Sequence, residues 1–363
     1  MHIHKGLLPA SWLYGMAVWV RNRLFDCGVL KSRQFDIPVI CVGNLAVGGT
    51  GKTPHVEHLL RLLREQHGVA VLSRGYKRST SGFVLADANS TALDLGDEPM
   101  QLHSKFPDVT VAVDENRCEG VEHLKSLGRE VVGLDDAFQH RHIHPSLSIL
   151  LIEHDRLVGD RLLPAGRLRE PMGGIRRADI VVVTKCPPGM SEADYAAAER
   201  SLPLSTKQQL YFSQMEYLGL KPVFPEVAST VTTIHPGTSV LLVSGIANPL
   251  PIVEEVRRHS SHLTHLAWGD HHAFQPQDIK GINNTFESLP TPRILVTTEK
   301  DAARLKTTPG LSSEVMRHAF QLPIRVKWLR GETNQFNQQI FHHISSFEGT
   351  NVEEAKQSHS KHT

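Results

Sequence analysis

A glycine-rich run ending in lysine and threonine lies between an apolar segment, residues 37–42, and a helical pattern. The run comprises Gly48, Gly49, Thr50, Gly51, Lys52 and Thr53. Glycines let backbone N–H groups close around phosphate oxygens, and the N-terminus of a helix adds a favourable dipole. We expect Lys52 to reach the β- and γ-phosphates and the Thr53 hydroxyl to ligate Mg²⁺. The run predicts a binding site for a nucleoside triphosphate.

One position departs from the strict pattern G-x-x-x-x-G-K-[ST]. Ala46 stands where that pattern has its first glycine. Alanine is small enough for the turn, so the prediction of a phosphate-binding loop is kept.

An apolar strand that ends in two carboxylates supplies the second half of such a site. Residues 131–134 are followed by Asp135 and Asp136. An acid at the end of a neighbouring strand is needed to hold Mg²⁺, directly or through water. We expect both aspartates to complete the metal shell, and the pattern leaves open which of them contacts the ion. The following residues, including Gln139, place polar groups beside the metal.

A proline-bounded loop, residues 163–171, carries two arginines and a glutamate. Arginine suits phosphate recognition and can stabilise charge on a phosphoryl group during transfer. A solvated basic loop has the same composition, so the residues alone leave both interpretations open.

Apolar runs alternate with helical patterns along the chain, which predicts an α/β fold of the P-loop NTPase type: a parallel sheet with helices on both faces. The pattern loosens over residues 203–238, which we interpret as a linker region, and a second alternation follows. The last fourteen residues hold one Val and no larger aliphatic or aromatic residue, which predicts disorder. The predicted segments are 1–30, an N-terminal helix; 31–222, a P-loop core domain; 223–349, a smaller C-terminal α/β domain; and 350–363, a disordered tail.

Composition restricts the class of protein. The chain has 363 residues and a formal net charge of +1, which argues against a dedicated nucleic-acid binder. Its four cysteines include no CxxC pair, so a reducing cytosolic setting is expected. The spacing of His140, His142 and His144 fits a loop as well as a zinc site.

The N-terminal segment from Leu7 to Val20 carries no charge and is followed by Arg21 and Arg23. It is shorter than the ~20 apolar residues that cross a bilayer. Aromatic and apolar residues recur in it at helical spacing, as in helices that lie in a membrane interface. An ordinary helix packed on the domain core explains the same periodicity, and both interpretations stay open at this point.

Taken together, the motifs resemble one family, the tetraacyldisaccharide 4′-kinases of lipid A biosynthesis. Eight motifs occur in the expected order across roughly residues 5 to 345. They are GNLAVGGTGKTP (43–54), SRGYKR (73–78), GDEP (96–99), DDAFQH (135–140), LPAGRLREP (163–171), GIANP (245–249), GDHHAF (269–274) and TEKDA (298–302).

The resemblance implies transfer of the γ-phosphoryl group of ATP, with Mg²⁺, to the 4′-hydroxyl of a tetraacylated glucosamine disaccharide 1-phosphate, which gives lipid IVA. Lys52 would hold the phosphates. Asp97 would be the catalytic base, partnered by a histidine of the GDHHAF motif. His271 matches the family position better than His272, and the pair would join the two predicted domains.

The resemblance further implies substrate or nucleotide contacts for a set of side chains, without fixing their individual roles. They are Tyr76, Arg117, Gln139, Arg169 and Glu170. It assigns no role to Arg167.

The resemblance favours the interfacial interpretation of the N-terminal segment. Four acyl chains keep the substrate in the bilayer, so the enzyme must act at an anionic membrane surface. The expected location is the cytoplasmic face of the bacterial inner membrane. Two alternatives are a nucleotide-driven P-loop switch or assembly ATPase without a lipid acceptor, and a P-loop kinase of a soluble small molecule.

Overall fold

The computed structural model of the protein describes residues 4–157, 159–231, 233–270 and 272–360. The chain forms two units. The first comprises Met1–Met215 and Val326–Thr363, and the second comprises Glu216–Arg325. The chain leaves the first unit within one strand, Gln209–Tyr217, and returns to it within another, Ile324–Trp328.

Helices and strands alternate through most of the described chain. The α-helices are α1 Leu8–Asp26, α2 Lys52–Leu63, α3 Ala92–Leu95, α4 Asp97–Lys105, α5 Arg117–Ser126, α6 Glu192–Arg200, α7 Leu250–His259, α8 Pro276–Ser288, α9 Glu299–Thr307, α10 Ser313–Arg317 and α11 Thr333–Ser360. The strands are β1 Val39–Asn44, β2 Val69–Ser73, β3 Val84–Leu85, β4 Thr110–Val113, β5 Val131–Asp135, β6 Leu147–Glu153, β7 Ile180–Thr184, β8 Gln209–Tyr217, β9 Lys221–Pro222, β10 Ser239–Ser244, β11 Leu263–Ala267, β12 Arg293–Thr297, β13 Ala319–Gln321 and β14 Ile324–Trp328.

The first unit is built on a nine-stranded sheet of order β14-β8-β7-β6-β1-β5-β2-β4-β3. Strand β1 lies between β5 and β6 and is parallel to both, with Val42 opposite Asp135 and Ile149. All six residues of β1 are buried, as expected for a parallel strand covered on both faces. The carboxyl ends of β1, β5, β6 and β7 therefore meet at one edge of the sheet, where ligands of open α/β sheets bind.

Helices cover both faces of this sheet, which confirms the predicted fold class. Side chains of α5 and α6 belong to the hydrophobic core on one face. Side chains of α2, α4 and α11 belong to the core on the other face. The alternation of apolar strands with helices was sufficient to predict this arrangement.

The second unit contains a five-stranded sheet of order β11-β10-β12-β13-β9. Its first four strands are parallel, and the short β9 runs antiparallel to β13. Helix α7 packs on one face, while α8, α9 and α10 pack on the other. The loops after β10, β11 and β12 contain the motifs at 245–249, 269–274 and 298–302.

Three predictions about the segments of the chain differ from the structure. The segment predicted as a linker, 203–238, contains the nine-residue strand β8. The predicted boundary at 222/223 lies instead at Met215/Glu216, and residues 326–349 belong to the first unit. This return segment buries Trp328, Phe336 and other side chains in the core beside α2. Periodicity shows that a strand and a helix exist, but it does not show which sheet they join.

The prediction of a disordered tail over residues 350–363 also differs from the structure. Helix α11 continues to Ser360, so residues 350–360 are helical, while residues 361–363 lie outside the described part. The segment contains Glu, Ala, Lys and Gln, which are good helix formers.

Candidate active site

The glycine-rich run forms the loop between β1 and α2, at the carboxyl edge of the sheet. Gly48 and Gly51 adopt positive φ angles of 109° and 89°. Gly51 is the N-cap of α2, so the helix begins at Lys52. A Cβ added at Gly49 would meet no atom of the described residues within 4 Å. The loop has the open, glycine-lined backbone that phosphate binding needs.

The loop at 163–171 is bound directly to the start of the phosphate loop. The amide of Val47 donates to the carbonyl of Arg167 at 2.8 Å, and the amide of Arg169 donates to the carbonyl of Leu45 at 2.7 Å. Between them, Ala46 forms an antiparallel bridge with Leu168. The loop is therefore part of the site. The position of Ala46 in a bridge explains why this position does not need glycine.

Asp136 is the point where the two loops and the acidic strand end meet. Its φ angle is 51°, in the left-handed region. Nζ of Lys52 lies 3.6 Å from Oδ1 of Asp136. Nη1 of Arg169 lies 2.9 Å from Oδ1 and 3.1 Å from Oδ2 of the same carboxylate. A single carboxylate thus holds two cations beside the phosphate loop.

Asp135 has a different environment. It is buried, and its Oδ1 accepts no hydrogen bond from the described residues. Burial raises the pKa of Asp135 to about 7, and the neighbouring Asp136 charge contributes in the same direction. Lys52 acts against these two effects. A buried carboxylate with an unpaired oxygen is a poor structural element but a suitable ligand for a cation.

These residues fit a magnesium ion. Mg²⁺ prefers oxygen ligands and is commonly bound through one or two carboxylates together with substrate phosphates. Asp135 offers a carboxylate oxygen without a partner among the described residues, and Thr53, half-buried in the first turn of α2, offers a hydroxyl. Asp136 is already engaged with two cationic side chains.

Glu170 and Gln139 extend the network from Arg169. Nε2 of Gln139 donates to Oε1 of Glu170 at 2.9 Å and to the carbonyl of Asn44 at 2.7 Å. Arg177 donates to both carboxylate oxygens of Glu170 at 2.8 Å. Oε1 of Gln139 lies 3.4 Å from Nη1 of Arg169. Gln139, Arg169 and Glu170 therefore lie together at the site.

Asp97 is the first residue of α4 and is half-buried. Gly96 precedes it with a φ of 90°, and a Cβ there would lie 2.9 Å from the carbonyl oxygen of Tyr76. The turn that carries Asp97 therefore lies against the backbone of the loop that carries Tyr76. The charge of the next residue, Glu98, contributes to the raised pKa of Asp135. The start of α4 is therefore close to the carboxylates at the end of β5.

Arg117 is buried at the start of α5. Burial is the main cause that lowers the pKa of its guanidinium, and Arg74 contributes, while Asp136 and Asp135 act in the opposite direction. Its Nε has no hydrogen-bond partner among the described residues. Arg117 thus carries a buried charge close to the proposed metal carboxylates.

His140 lies among the same cations. Burial lowers its pKa to about 4, and the charges of Arg117, Arg21 and Arg74 contribute in the same direction. The positive potential at His140 therefore comes from three separate segments: α1, the loop after β2 and α5. Among the described residues, no group of three or more His, Cys, Asp or Glu side chains is placed to hold a metal ion.

Helix α1 packs one side against the site. The hydroxyl of Tyr14 donates to the carbonyl of Arg169 at 2.7 Å. Nδ2 of Asn22 donates to Glu170 at 3.3 Å, and Arg21 donates to the carbonyl of Gln139. The helix therefore contacts Gln139, Arg169 and Glu170.

The other side of α1 exposes large apolar side chains. The exposed fractions are Trp12 81%, Leu13 65%, Met16 59%, Trp19 56% and Val20 44%. The guanidinium of Arg23 lies 5.6 Å from the centre of the Trp19 ring. The periodic side chains Trp12, Met16 and Trp19 thus form an exposed stripe and not the packing surface. Within the described residues, the helices all fall short of the length and apolarity that crossing a membrane requires.

The motifs of the second unit form two local clusters. Asp301, fully buried, accepts hydrogen bonds from the Gly245 amide at 2.9 Å and from Nη1 of Arg304 at 2.9 Å. This carboxylate joins the 245–249 and 298–302 motifs to each other. The structure therefore gives these two motifs a structural contact within the unit.

The two adjacent histidines of the 269–274 motif differ, because the structure describes the contacts of His272 but not those of His271. Nε2 of His272 donates to Oδ2 of Asp278 at 2.7 Å, and Trp268 Nε1 donates to Oδ1 of the same carboxylate at 3.0 Å. The His272 ring stacks on Trp268 with a centroid distance of 5.8 Å. His271, the expected partner of Asp97, lies outside the described residues.

Several side chains at the site have no recognisable local pattern. They are Tyr14, Arg21, Asn22, Arg177 and Thr184. Most of them contact residues that are distant in the chain: Asn22 and Glu170, for example, are separated by 148 residues. Arg177 is the exception, because it contacts Glu170 only seven residues away. Only the arginine pair 176–177, next to an apolar strand, offered a weak signal of charge near the sheet edge.

The fold and the site define a P-loop phosphotransferase: a triphosphate-binding loop on a parallel sheet, an acidic strand end and a cationic loop bound to both. A sequence profile of the family described as tetraacyldisaccharide-1-P 4′-kinase, LpxK, matches residues 3–345. The chain belongs to this family.

Similar proteins carry the same name. The tetraacyldisaccharide 4′-kinase of Bacteroides thetaiotaomicron is 51% identical over 355 residues, which covers 94% of this chain and 93% of that protein. The one from Parabacteroides distasonis is 49% identical over 351 residues, covering 94% and 95%. A crystal structure of LpxK from Aquifex aeolicus in complex with ATP matches with a TM-score of 0.72 and 30% identity, covering 94% of this chain and 99% of that one.

Proposed function

We propose that this protein transfers the γ-phosphoryl group of ATP to the 4′-hydroxyl of a tetraacylated glucosamine disaccharide 1-phosphate, forming lipid IVA. Family membership supports the reaction, and the complex of the Aquifex relative supports ATP as donor. The observation that carries the proposal is the contact between α1 and the site. The helix with the exposed apolar stripe is hydrogen-bonded to the loop that pairs with the phosphate loop.

For the donor, Lys52 and the backbone of residues 48–53 hold the phosphates of ATP. Asp136 keeps Lys52 and Arg169 side by side before the nucleotide arrives. Both cations then exchange a carboxylate for phosphate oxygens, and Arg169 stabilises charge on the phosphoryl group during transfer.

Asp135 and Thr53 would hold Mg²⁺, with Asp136 completing the shell. When bound, the ion would neutralise negative charge on the phosphates of the nucleotide. Asp135 is the better candidate for direct contact because its Oδ1 is unpaired in the described residues, whereas Asp136 is paired with two cations.

For the acceptor, Asp97 is the catalytic base and His271 its partner. A sugar hydroxyl is a poor nucleophile, so a carboxylate that takes its proton during transfer assists the reaction. The turn of Asp97 lies against the Tyr76 loop and close to the β5 carboxylates, as a base next to the transferred group must. His272 is engaged with Asp278, which favours His271 for this role.

The cations around His140 suit an acceptor that carries its own phosphate. Arg21, Arg74 and Arg117 give this region positive potential. Arg21 belongs to α1, so a phosphate at this place would lie beside the helix with the apolar stripe. Tyr76, 62% exposed, would contact the sugar.

The acyl chains of the acceptor determine where the enzyme works. Moving such a lipid into water costs about 0.8 kcal/mol per CH₂ group. We therefore propose that the stripe Trp12–Val20 lies in an anionic membrane surface, with Arg21 and Arg23 near the headgroups. The use of ATP supports the cytoplasmic face of the inner membrane as the place of the reaction.

An assay with labelled ATP, Mg²⁺ and a purified tetraacyl disaccharide 1-phosphate tests the proposal. Wild-type protein should transfer the label to the lipid, Lys52→Ala should abolish transfer, and Asp97→Ala should slow it severely. Lys125→Ala is the matched control, because Lys125 pairs with Asp36 at the surface. ATP hydrolysis without labelled lipid would indicate a switch ATPase, and transfer to a water-soluble sugar without vesicles would indicate a soluble kinase.

A further inference from the structure

Two side chains from outside the phosphate loop hold backbone carbonyl groups within it. The Thr184 hydroxyl, at the end of β7, donates to the carbonyl of Thr50 at 2.8 Å. Nδ1 of His55, in the first turn of α2, lies 2.7 Å from the carbonyl of Gly51. Both side chains are buried, and neither has a role in the transfer described above.

The hydrogen-bond roles of His55 follow from its partners. A backbone carbonyl only accepts, so Nδ1 carries the proton and donates to Gly51. Nε2 is then an acceptor, and the buried hydroxyl of Ser213 on β8, 3.1 Å away, donates to it. Burial lowers the pKa of His55 to about 4, so the ring stays neutral at physiological pH. The Gly51 carbonyl thereby sets the tautomer, and Ser213 holds the other side of the ring.

Holding these carbonyls also fixes two N–H groups. A trans peptide group is planar, with its C=O and N–H pointing in opposite directions. The bond from Thr184 to the Thr50 carbonyl therefore sets the direction of the Gly51 N–H. The bond from His55 to the Gly51 carbonyl sets the direction of the Lys52 N–H. Both N–H groups lie at the N-terminus of α2, where backbone donors bind phosphate.

Such support matters because the loop is rich in glycine. Glycine loses more conformational freedom on ordering than any other residue, and Gly51 must keep a φ of 89°. A loop that is ordered only when the ligand binds loses affinity to that ordering cost. Two hydrogen bonds from buried side chains remove part of the cost before ATP arrives.

We propose that Thr184 and His55, the latter held by Ser213, are positioning residues for the phosphates of ATP: each fixes one peptide group of the loop so that its N–H faces the triphosphate. This inference rests on the proposed function, since it takes the loop to bind ATP. It adds residues that the phosphate-loop motif does not contain.

Paired variants of the full-length protein test it. Thr184→Val removes the hydroxyl at nearly constant shape, and Thr184→Ser restores it. His55→Leu removes the side-chain donor at Gly51 and leaves the backbone amide of residue 55, 3.3 Å from the same carbonyl, in place. His55→Asn restores a side-chain donor near Nδ1. His58→Leu is the matched control, because His58 is also on α2 and contacts Trp328 and Asn337 instead of the loop.

The measurements are the Kd for ATP by calorimetry and the KM values for ATP and for the lipid acceptor. Thr184→Val and His55→Leu should each raise the Kd and KM for ATP about tenfold, or ~1.4 kcal/mol, with the KM for acceptor unchanged. Thr184→Ser and His55→Asn should recover most of the affinity. If Thr184 and His55 had a purely structural role, their substitution would instead lower the melting temperature and would not change the KM for ATP relative to the KM for the acceptor.

Unchanged ATP affinity in Thr184→Val overturns the inference, even if His55→Leu fails to fold. The reason is that the Thr184 hydroxyl alone donates the hydrogen bond to the Thr50 carbonyl that this variant removes. Equal loss in His58→Leu also overturns it, since the effect would then belong to the packing of α2. Failure of the wild-type protein to bind ATP would refute the proposed function as well. Normal wild-type binding with unaffected variants refutes only this inference.

Discussion

Arg169 and Asp136 connect two loops that lie 33 residues apart in the chain: one guanidinium nitrogen, Nη1, donates to both oxygens of the carboxylate at 2.9 and 3.1 Å. Lys52 approaches the same carboxylate at 3.6 Å. The carboxylate therefore holds two cations beside the phosphate loop, where an arriving triphosphate can bind both.

Replacing Arg169 by alanine should lower kcat by about 10²-fold, the usual effect of losing one donor to the charge that develops in the transition state. The measurement is steady-state transfer of labelled phosphate to the lipid. Arg167→Ala is the control, because Arg167 lies in the same loop with its side chain exposed. Full activity of Arg169→Ala would remove Arg169 from the transfer mechanism.

Replacing Asp135 by asparagine should stabilise the metal-free protein in a pH-dependent way. The pKa of Asp135 is about 7 in the folded protein and about 4 in an unfolded chain. Between these values the unfolded chain releases a proton that the folded protein keeps, so the free energy of unfolding of the wild type falls as pH rises. Above about pH 7 both states are ionised, and the difference becomes constant.

The difference in melting temperature, variant minus wild type, should therefore grow from about pH 4 to about pH 7 and then level off. His55 and His140 are present in both proteins, so their titration cancels in this difference. Adding Mg²⁺ and ATP should raise the melting temperature of the wild type more than that of Asp135→Asn. A difference that does not change with pH would contradict the raised pKa.

Much of the first unit could be predicted because its signals are local. The strands of a sheet covered on both faces are nearly continuous apolar runs, so β1, β5, β6 and β7 could be recognised in the sequence. The glycines, Lys52 and the two aspartates at the end of β5 are adjacent to those runs. A local pattern was therefore enough to predict that these residues lie together at one edge of the sheet.

The remaining features depend on contacts between distant segments. The bond from Thr184 to the Thr50 carbonyl spans 134 residues, and that from Asn22 to Glu170 spans 148. The return of β14 and α11 to the first unit is of the same kind, since their apolar faces fit either sheet. Periodicity identifies an element and its buried side, while the partner is decided by packing.

Replacing Trp12 and Trp19 together by serine should weaken binding to anionic vesicles by at least about tenfold, because burying one large apolar side chain contributes roughly 1.5–3 kcal/mol. Sedimentation with vesicles containing phosphatidylglycerol measures the bound fraction. Leu93→Ser is the control, because Leu93 is 70% exposed but lies on α3. Equal binding of the double variant and the wild type would show that the stripe is not the membrane contact.

The two adjacent histidines should separate into a catalytic and a structural residue. His272 donates to Asp278 at 2.7 Å and stacks on Trp268, so His272→Ala should lower the melting temperature by a few degrees while leaving most of kcat. Asp278→Asn should reproduce this effect, because it weakens the same contact. His271→Ala should instead lower kcat by about 10²–10⁴-fold with an unchanged melting temperature, as for loss of a residue that assists proton transfer. Thermal unfolding and steady-state transfer on the three variants measure both quantities, and the reverse pattern would make His272 the partner of Asp97.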